Sequence, residues 1–310
     1  MDNEAKKRVL VVGADSYIGD SFAKFAQDRL YVDIVDSYEG WKAASFEAYD
    51  SILMVAGLAH KDWTRKERKA NKDLYFAINR DLAIAVAEKA IASGVGQFIY
   101  LSSMAVYGML SGIITHDTTP SPRKNDYYGL SKYQAELALG ELFFGTCHSG
   151  AGVLPKSNTN GLCIIRPPMV YGPNCPGNFP KLAGLAKGLP IFPDINNRRS
   201  MIYIDNLCAF IVHMVENGCS GVYLPQNREY VNTTELVRVI ERVQGKRMRT
   251  TKLFNPLIFL AQKFSSSVCK LFGSLVYEHS VDEDVYNVVG FEDSIDLSVS
   301  KSMNGGRNAQ

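Results

Sequence analysis

The sequence predicts an α/β protein with a doubly wound parallel sheet and a smaller mixed C-terminal domain. Short apolar runs alternate with amphipathic stretches over the first two thirds of the chain, which is typical of strand–helix–strand units. A glycine turn follows the first apolar run, and five prolines interrupt residues 167–180, where regular elements do not persist. With 310 residues, the chain is long enough for a large domain and a smaller partner.

The predicted strands are brief and mostly aliphatic or aromatic, as strands buried on both faces should be. They lie at residues 9–12, 31–35, 52–55, 98–101 and 162–165, with further strands at 199–204 and 221–224. Helices are predicted at residues 73–93, 128–143, 205–216 and 233–243. The first of these helices is rich in Ala, Leu and Ile and ends before Gly94.

Residues 254–272 are apolar and are predicted to form an amphipathic helix. Burial against the smaller domain and contact with a membrane are both compatible with such a helix. Burial is favoured, because only Lys263 and Lys270 supply the basic face that helices on a membrane surface use.

The composition indicates a globular protein, with 46% hydrophobic and 21% charged residues. The 34 basic and 32 acidic residues are well mixed, which predicts no nucleic-acid partner and gives no electrostatic reason to bind anionic lipid. The six cysteines lack metal-ligand spacing, so no metal site is predicted and a reducing compartment is favoured. The first apolar run is too short for a signal peptide, and no run approaches the ~20 residues of a membrane span. The chain is therefore predicted to be cytoplasmic and soluble, without membrane insertion.

A dinucleotide-binding turn is predicted where the first strand runs into Gly13-Ala14-Asp15-Ser16-Tyr17-Ile18-Gly19. The first glycine lets the backbone turn tightly, and the following helix points free N–H groups at a pyrophosphate. Ser16 is suited to cap that helix. Two glycines alone are also compatible with any tight strand–helix turn, but in this context they favour a Rossmann-type sheet.

Asp36 ends the second predicted strand, about 20 residues after the glycine turn, where an acidic residue binds the ribose hydroxyls of adenosine. A carboxylate there repels a 2′-phosphate, so NAD(H) is favoured over NADP(H). A turn carboxylate at the end of a strand is the alternative interpretation.

Tyr128 and Lys132 form a candidate acid–base pair, since residues at i and i+4 share one face of a helix. A nearby cation favours the phenolate and lowers the pKa of a tyrosine, which can then exchange a proton with a carbinol oxygen. The strand at residues 98–101 leads to Ser102 and Ser103, at the edge where parallel sheets present ligand-contacting residues. Ser102 is better explained as a capping or turn hydroxyl.

Together these motifs resemble the extended short-chain dehydrogenase/reductases, the NAD-dependent epimerase/dehydratase family, over roughly residues 8–224. In that family a serine or threonine in a Ser-x-x-Val-Tyr-Gly context works with a Tyr-x-x-x-Lys helix. The resemblance implies that Ser103, Tyr128 and Lys132 are catalytic. Residues 167–207 are most similar to the nucleotide-sugar 4-ketoreductases and 4-epimerases of capsule and O-antigen clusters.

The resemblance also implies the binding residues. Residues 55–60, which end in His60, look like the family's cofactor-contacting strand end, and residues 166–173 are similar to its segment beside the nicotinamide. The implied cofactor-binding residues are Gly13, Ser16, Tyr17, Ile18, Gly19, Asp36, Ala56, Gly57, Asn79, Tyr128, Lys132 and Pro167. The implied substrate-binding residues are Ser103, Met169, Asn178, Phe179 and Arg199. Asn178 and Arg199 are expected to face the diphosphate, because an arginine fork donates two hydrogen bonds to phosphate oxygens.

Several departures from the family pattern bear on the reaction. Ser16 replaces the middle glycine of the Gly-x-x-Gly-x-x-Gly turn, and no arginine matches the family's second, C-terminal diphosphate ligand. Ala59 stands where UDP-galactose-type epimerases carry a lysine that helps to retain the cofactor, which favours a net reductase. Met104 and Ala105 follow Ser103, where dehydratases usually place an acid–base pair, so dehydration is disfavoured.

We therefore expect an NAD(P)-dependent oxidoreductase acting at carbon 4 of a nucleotide-linked sugar, with UDP as the expected nucleotide, in surface polysaccharide precursor synthesis. Reduction of a 4-keto-6-deoxy sugar is the first expectation, and 4-epimerisation by the same Ser/Tyr/Lys residues is the second. A non-catalytic NAD(P)-sensing or scaffold protein is the third.

The expected domains are a dinucleotide-binding domain at residues 1–166 and 199–225 and a substrate domain at 167–198 and 226–300. The substrate is expected in the cleft between them. Residues 301–310 are expected to form a disordered tail. Relatives often dimerise through helices like those at 73–93 and 128–143, which implies a homodimer.

Overall fold

A computed structural model of the chain describes residues 6–59, 63–145, 161–188, 190–246, 248–280 and 283–305. Its strands are β1 (Arg8–Val12), β2 (Tyr31–Val35), β3 (Ser51–Met54), β4 (Gln97–Leu101), β5 (Gly112–Ile114), β6 (Leu162–Ile165), β7 (Met169–Tyr171), β8 (Ile191–Pro193), β9 (Met201–Tyr203), β10 (Gly221–Tyr223), β11 (Arg249–Thr251) and β12 (Leu275–Tyr277). Its α-helices are α1 (Tyr17–Ala26), α2 (Gly40–Ala43), α3 (Arg65–Ala70), α4 (Lys72–Phe76), α5 (Leu82–Ala92), α6 (Tyr127–Phe144), α7 (Asn178–Gly188), α8 (Ile204–Glu216), α9 (Thr233–Val243), α10 (Asn255–Phe264), α11 (Ser266–Phe272) and α12 (Phe291–Gly305).

The chain divides into two compact units. Unit 1 comprises Met1–Gly108, Thr119–Pro167 and Cys208–Pro225, and unit 2 comprises Met109–Thr118, Pro168–Leu207 and Gln226–Gln310. Within the described residues, no helix is both long enough and apolar enough to cross a membrane.

Unit 1 contains a six-stranded sheet in the order β10-β6-β4-β3-β1-β2, and all of its strand pairs are parallel. The order reverses at β1, which has β2 on one side and β3 on the other, so the predicted doubly wound sheet is confirmed. The predicted burial of β2 is wrong, because β2 is an edge strand and leaves Tyr31 exposed.

One core layer of unit 1 lies between the sheet and helices α5 and α6. Leu10, Ile52 and Phe98 from three neighbouring strands belong to one buried cluster with Val86 of α5 and Leu139 of α6. Helices α4 and α5 are joined by a π-helical turn at Ala77–Asp81, in the middle of the single helix that the sequence predicts at residues 73–93. Such turns are often found at functional sites.

Unit 2 contains three two-stranded parallel sheets, β7–β9, β8–β11 and β5–β12. Residues 199–207 were expected in the dinucleotide-binding domain, but they belong to unit 2. The reason is their pairing, since Arg199 bridges to Val231 and Leu275, and β9 pairs with β7. Residues 109–118, also expected in the dinucleotide-binding domain, belong to unit 2 because β5 pairs with β12.

The C-terminal helix α12 extends further than the sequence indicated. Buried Ile295 and Val299, one helical turn apart, anchor it in unit 2. Residues 301–305 therefore continue this helix instead of starting a disordered tail, and residues 306–310 lie outside the described part of the chain.

The predicted burial of residues 254–272 is wrong. Ser265 leaves the helical conformation and caps α11 by accepting from the Val268 N–H (3.4 Å), so the segment forms two short helices. Neither α10 nor α11, both fully described, has a buried residue. The polar Asn255 faces unit 2 and donates to the Asp194 carbonyl (2.9 Å), while Leu257 and Phe264 are exposed.

Candidate active site

The glycine turn lies between β1 and α1, as predicted. Gly13 has a φ of +133°, which favours glycine, and a Cβ there would lie 2.7 Å from the Ala56 backbone nitrogen. Ser16 caps α1 by accepting from the Gly19 N–H (3.1 Å), which confirms the predicted cap. Tyr17 and Ile18 open α1, and the first N–H groups of a helix have no partner within the helix. At this turn a diphosphate can approach the backbone of Gly13 without meeting a side chain, and it faces the positive end of α1.

Asp36 directly follows β2, whose end adjoins the glycine turn, because the Gly13 N–H donates to the Val35 carbonyl (2.9 Å). The Asp36 carboxylate accepts from the N–H groups of Tyr38 (2.8 Å), Glu39 (2.9 Å) and Gly40 (3.1 Å). These bonds hold the pKa of Asp36 below its ordinary value. Asp36 is exposed and ionised, and in this structure it has the role of a turn carboxylate.

Asn79 forms hydrogen bonds both with the chain after β3 and with helix α6. It is fully buried in the π-helical turn, where its amide oxygen accepts from the Leu58 N–H (2.7 Å). Its amide nitrogen donates to the Ser131 hydroxyl of α6 (2.9 Å). Ala56 and Gly57 precede Leu58 in the same strand end, so the predicted segment and Asn79 are brought together. His60, from the same predicted segment, lies outside the described residues.

Ser103 and Tyr128 meet, as the sequence predicts. Ser103 opens a 3₁₀ turn after β4, where its hydroxyl accepts from the Ala105 N–H (3.2 Å) and lies near enough to the Tyr128 phenol to lower its pKa. Gly129 permits this approach, since a Cβ there would lie 2.6 Å from the Ala105 carbonyl oxygen. The Met104 N–H donates to the Pro167 carbonyl (2.9 Å), which places Pro167 beside the same turn.

Lys132 does not lower the pKa of Tyr128, contrary to the prediction. Its ammonium donates to the Leu101 carbonyl (2.8 Å) and lies 4.7 Å from the centre of the Tyr100 ring. Burial raises the pKa of the Tyr128 hydroxyl, and the neighbouring Ser103 hydroxyl only partly offsets this rise. Burial also lowers the pKa of Lys132 to about 7, with Glu136 opposing that shift. Desolvation therefore sets the direction of both pKa shifts in this structure.

A buried ion pair that sequence reasoning missed holds α6 against the sheet. Glu136 is one helical turn beyond Lys132, and Arg166 directly follows β6. The Arg166 guanidinium donates to both Glu136 carboxylate oxygens (Nε–Oε1 3.0 Å, Nη2–Oε2 2.6 Å). Ser102 donates to the same carboxylate, and Arg166 donates to the Tyr107 hydroxyl (2.8 Å).

Glu136 and Arg166 neutralise each other's charge inside unit 1. Burial lowers the pKa of Arg166, but attraction and hydrogen bonds from Glu136 raise it above its ordinary value. Ser102 is thus a structural hydroxyl, as the sequence favoured, although its partner is a carboxylate. A glutamate four residues after the lysine of the Tyr-x-x-x-Lys helix was the available signal, because i+4 positions share a face.

The predicted substrate-binding residues other than Ser103 lie in unit 2. Met169 begins β7 and is paired with Met201 of β9. Asn178 begins α7, and the neighbouring Phe179 is buried and stacks on Tyr171 with ring centres 5.2 Å apart. Phe179 is therefore held in the core of unit 2.

Arg199 is half-buried just before β9. Its guanidinium donates to the Gly273 carbonyl (3.3 Å), and burial lowers its pKa. Among the described residues, no carboxylate forms an ion pair with it. The positive charge of Arg199 is therefore not neutralised by a carboxylate of the described residues and is available to bind an anionic group.

Comparison with known proteins places these features in context. A model of the NAD dependent epimerase/dehydratase family matches residues 3–224. UDP-glucose 4-epimerase of Vibrio cholerae is 35% identical over 173 residues, which cover 53% of this chain and 48% of that protein. The chain thus spans about half the length of that relative.

Two further similarities cover most of the chain. N-acetyl-alpha-D-glucosaminyl-diphospho-ditrans,octacis-undecaprenol 4-epimerase of Escherichia coli O157:H7 is 25% identical over 270 residues, covering 80% of this chain and 76% of that protein. The crystal structure of dTDP-4-dehydrorhamnose reductase from Bacillus anthracis in complex with NADP has a TM-score of 0.68 at 17% identity. That match covers 97% of this chain and 100% of the other, and it shows a shared fold.

Proposed function

Because the chain belongs to the NAD dependent epimerase/dehydratase family, we propose that it oxidises and reduces carbon 4 of a sugar attached to a diphosphate. The observation that carries this proposal is the close approach of α6 to the turn that Ser103 opens, where Gly129 lies against the Ala105 carbonyl; this approach brings Tyr128 near Ser103, with Lys132 one helical turn further along α6. Ser103 follows the carboxyl end of β4, where parallel sheets present reacting residues.

In the proposed reaction Tyr128 exchanges the proton of the sugar's 4-oxygen. Its raised pKa keeps the phenol protonated before substrate binds, so it is a donor toward a 4-keto group. Ser103, which lies near Tyr128, donates to or accepts from the same sugar oxygen and orients it. The dinucleotide, when bound, supplies the group that takes up and returns a hydride at carbon 4.

The residues of unit 1 fit a dinucleotide. The side-chain-free turn at Gly13 and the N-terminus of α1 would hold its diphosphate, and Lys132 would hold the nicotinamide ribose. Asp36 would accept hydrogen bonds from the adenosine ribose, and its charge would repel a 2′-phosphate, so we propose NAD(H) over NADP(H). Replacement Asp36→Asn is expected to raise the affinity for NADPH relative to NADH at least tenfold, measured by nicotinamide fluorescence. An unchanged ratio would remove Asp36 from cofactor selection.

For the net reaction we favour 4-epimerisation over reduction of a 4-keto-6-deoxy sugar. Both curated relatives described above are 4-epimerases, and one of them acts on a UDP-sugar by its name. Ala59 supports the reductase, because the epimerase lysine that retains the cofactor is missing there. The same Ser103, Tyr128 and Lys132 serve both reactions.

A substrate deuterated at carbon 4 separates these reactions. The purified protein is incubated with C4-deuterated UDP-glucose or UDP-N-acetylglucosamine, and the products are analysed by NMR. An epimerase returns the same deuterium to carbon 4 of the inverted sugar without net consumption of NADH. Stoichiometric NADH oxidation with a UDP-4-keto-6-deoxy sugar identifies the reductase instead. If the protein binds NADH but catalyses neither reaction, the result would support the sensing or scaffold alternative.

A second candidate substrate carries its diphosphate on a polyprenol instead of a nucleoside. The observation that favours it is the position of Arg199, which contacts Gly273 at the end of the exposed helices α10 and α11. The Escherichia coli relative is named for an undecaprenol-linked sugar. Turnover of N-acetylglucosaminyl-diphospho-undecaprenol in detergent micelles, compared with UDP-N-acetylglucosamine, tests this candidate. A higher kcat/KM for the nucleotide-linked sugar would exclude it.

A further inference from the structure

Helices α10 and α11 of unit 2 carry a dense patch of exposed apolar side chains. Leu253, Leu257 and Phe264 are 79%, 67% and 83% exposed. Six of the fifteen exposed large hydrophobic residues in the described part of the chain lie within residues 253–264. The α10–α11 surface is defined here by the side chains Leu253, Phe254, Leu257, Phe259, Leu260 and Phe264, with Lys252, Lys263 and Lys270.

The more apolar side of α10 faces outward. At 100° per residue, Leu257, Leu260 and Phe264 share one side of the helix, and all three are exposed. The partly covered side carries Asn255 and Gln262 together with Ile258 and Ala261. The large side chains of Leu257, Leu260 and Phe264 thus face away from the protein, whereas the apolar stripe of a typical surface helix faces the core.

The charge of this part of the chain is strongly one-sided. Between Glu241 and Glu278 the sequence contains seven Lys and Arg residues and no Asp or Glu. Lys252, Lys263 and Lys270 are exposed beside the apolar side chains. Two acids from other segments lie beside this part of the chain: the Asp194 carboxylate is 3.9 Å from Arg238, and the Glu292 carboxylate pairs with Arg242 at 3.4 Å. The balanced charge of the whole chain, +2, therefore conceals a local basic surface.

We propose that the α10–α11 surface docks the protein on an anionic phospholipid bilayer. Exposed Leu and Phe side chains would enter the boundary between headgroups and acyl chains, and the lysines would contact anionic headgroups. Helix α10 has 10 residues and is about 15 Å long, so it lies in the interface and does not cross the bilayer. The inference rests on this surface alone and is independent of the proposed redox reaction.

A bilayer fits this surface better than a second copy of the chain. Two copies packed through the surface would bring Lys252, Lys263 and Lys270 of both chains together without an acidic partner from residues 242–277. Like charges across an interface are repulsive, whereas anionic lipid neutralises them.

Flotation of the full-length protein with vesicles tests the proposal. Vesicles of phosphatidylethanolamine and phosphatidylglycerol (7:3) are compared with phosphatidylcholine vesicles at 150 mM salt. The wild type is expected to float with the anionic vesicles. The variant Leu257→Ser/Leu260→Ser/Phe264→Ser should partition at least tenfold less. The variant Lys252→Gln/Lys263→Gln/Lys270→Gln should lose binding to anionic vesicles, since each lysine near such a surface contributes about fivefold.

Matched variants control for general effects of the substitutions. Val285 and Val288 of unit 2 are 57% and 56% exposed, so Val285→Ser/Val288→Ser controls for loss of apolar surface. Arg65→Gln/Lys66→Gln/Lys69→Gln removes three exposed charges from α3 of unit 1. Both control variants should float like the wild type, and circular dichroism establishes that every variant is folded.

Two outcomes would overturn the proposal. One is a wild type that does not float with either vesicle composition. The other is a wild-type dimer in analytical ultracentrifugation that the apolar variant converts to a monomer, without any vesicle binding. The second outcome would assign the surface to a copy of the chain.

Discussion

Replacement of Arg166 by methionine removes the cation that neutralises Glu136 inside unit 1. Glu136 is fully buried, and the Arg166 side chain is 8% exposed, so water does not replace the lost guanidinium. Removing one partner of a buried ion pair costs about 3–5 kcal/mol, because the other charge stays buried without compensation. Domains are stable by only about 5–15 kcal/mol. The midpoint of thermal unfolding is expected to fall by about 6–20 °C.

A double-mutant cycle measures this coupling. Glu136→Leu should cost about as much as Arg166→Met, since it leaves a buried guanidinium without its carboxylate. The double variant removes both charges, and the remaining cost is the loss of the hydrogen bonds that Ser102 and Tyr107 make to this pair, at about 1–3 kcal/mol each. Its loss should therefore be at least about 2 kcal/mol smaller than the sum of the single losses. The free energies come from urea unfolding followed by circular dichroism.

An exposed pair of the same chemistry is the control. Arg29 and Glu216 of unit 1 also form a two-bond ion pair, but their side chains are 51% and 33% exposed. Arg29→Met should change stability by less than about 1 kcal/mol. Additive losses in the Glu136–Arg166 cycle, or equal losses for Arg29→Met and Arg166→Met, would refute the reasoning.

Three further predictions concern the candidate active site. Tyr128→Phe should lower kcat by about 10²–10⁴-fold with unchanged NADH binding by fluorescence, whereas Tyr127→Phe should retain turnover; equal effects would contradict the proton role. Lys132 has a pKa of about 7 when folded, and the unfolded chain holds its proton up to about pH 10, so stability should rise with pH between these values. In urea unfolding from pH 7 to 9, the wild type should gain up to about 1.4 kcal/mol per pH unit relative to Lys132→Met, and parallel pH profiles would exclude the shift. Gly13→Ala should weaken NADH binding at least tenfold and destabilise the protein more than Gly94→Ala, because Gly94 has a φ of +71° and open space around it; equal losses of stability would show that the contact of Gly13 with Val55 and Ala56 is unimportant.

The local elements of unit 1 could be predicted from the sequence. Apolar runs between turn residues predicted β1, β2, β3, β4 and β6 within two residues of their observed bounds. Gly13 and Ser16 define the turn that follows β1 because backbone freedom and helix capping depend on neighbouring residues. The i+4 spacing of Tyr128 and Lys132 likewise follows from helix geometry alone.

The environments of these residues could not be predicted from the sequence in the same way. The pKa of Lys132 depends on burial and on Glu136, and the effect of Lys132 on Tyr128 depends on where its ammonium points. Arg166 follows a strand and Glu136 lies on a helix, so their contact requires β6 and α6 to be packed together. No sequence spacing specifies such a long-range contact.

The sequence by itself determined the parallel α/β architecture of unit 1 and the residues around the glycine turn, because both arise from short-range periodicity and backbone preferences. Tertiary structure decided which faces became solvent-exposed. The apolar pattern of α10 was visible in the sequence, but periodicity does not tell which side of a helix meets the protein. That choice depends on all surrounding contacts, and here Asn255 faces unit 2 while Leu257, Leu260 and Phe264 remain exposed.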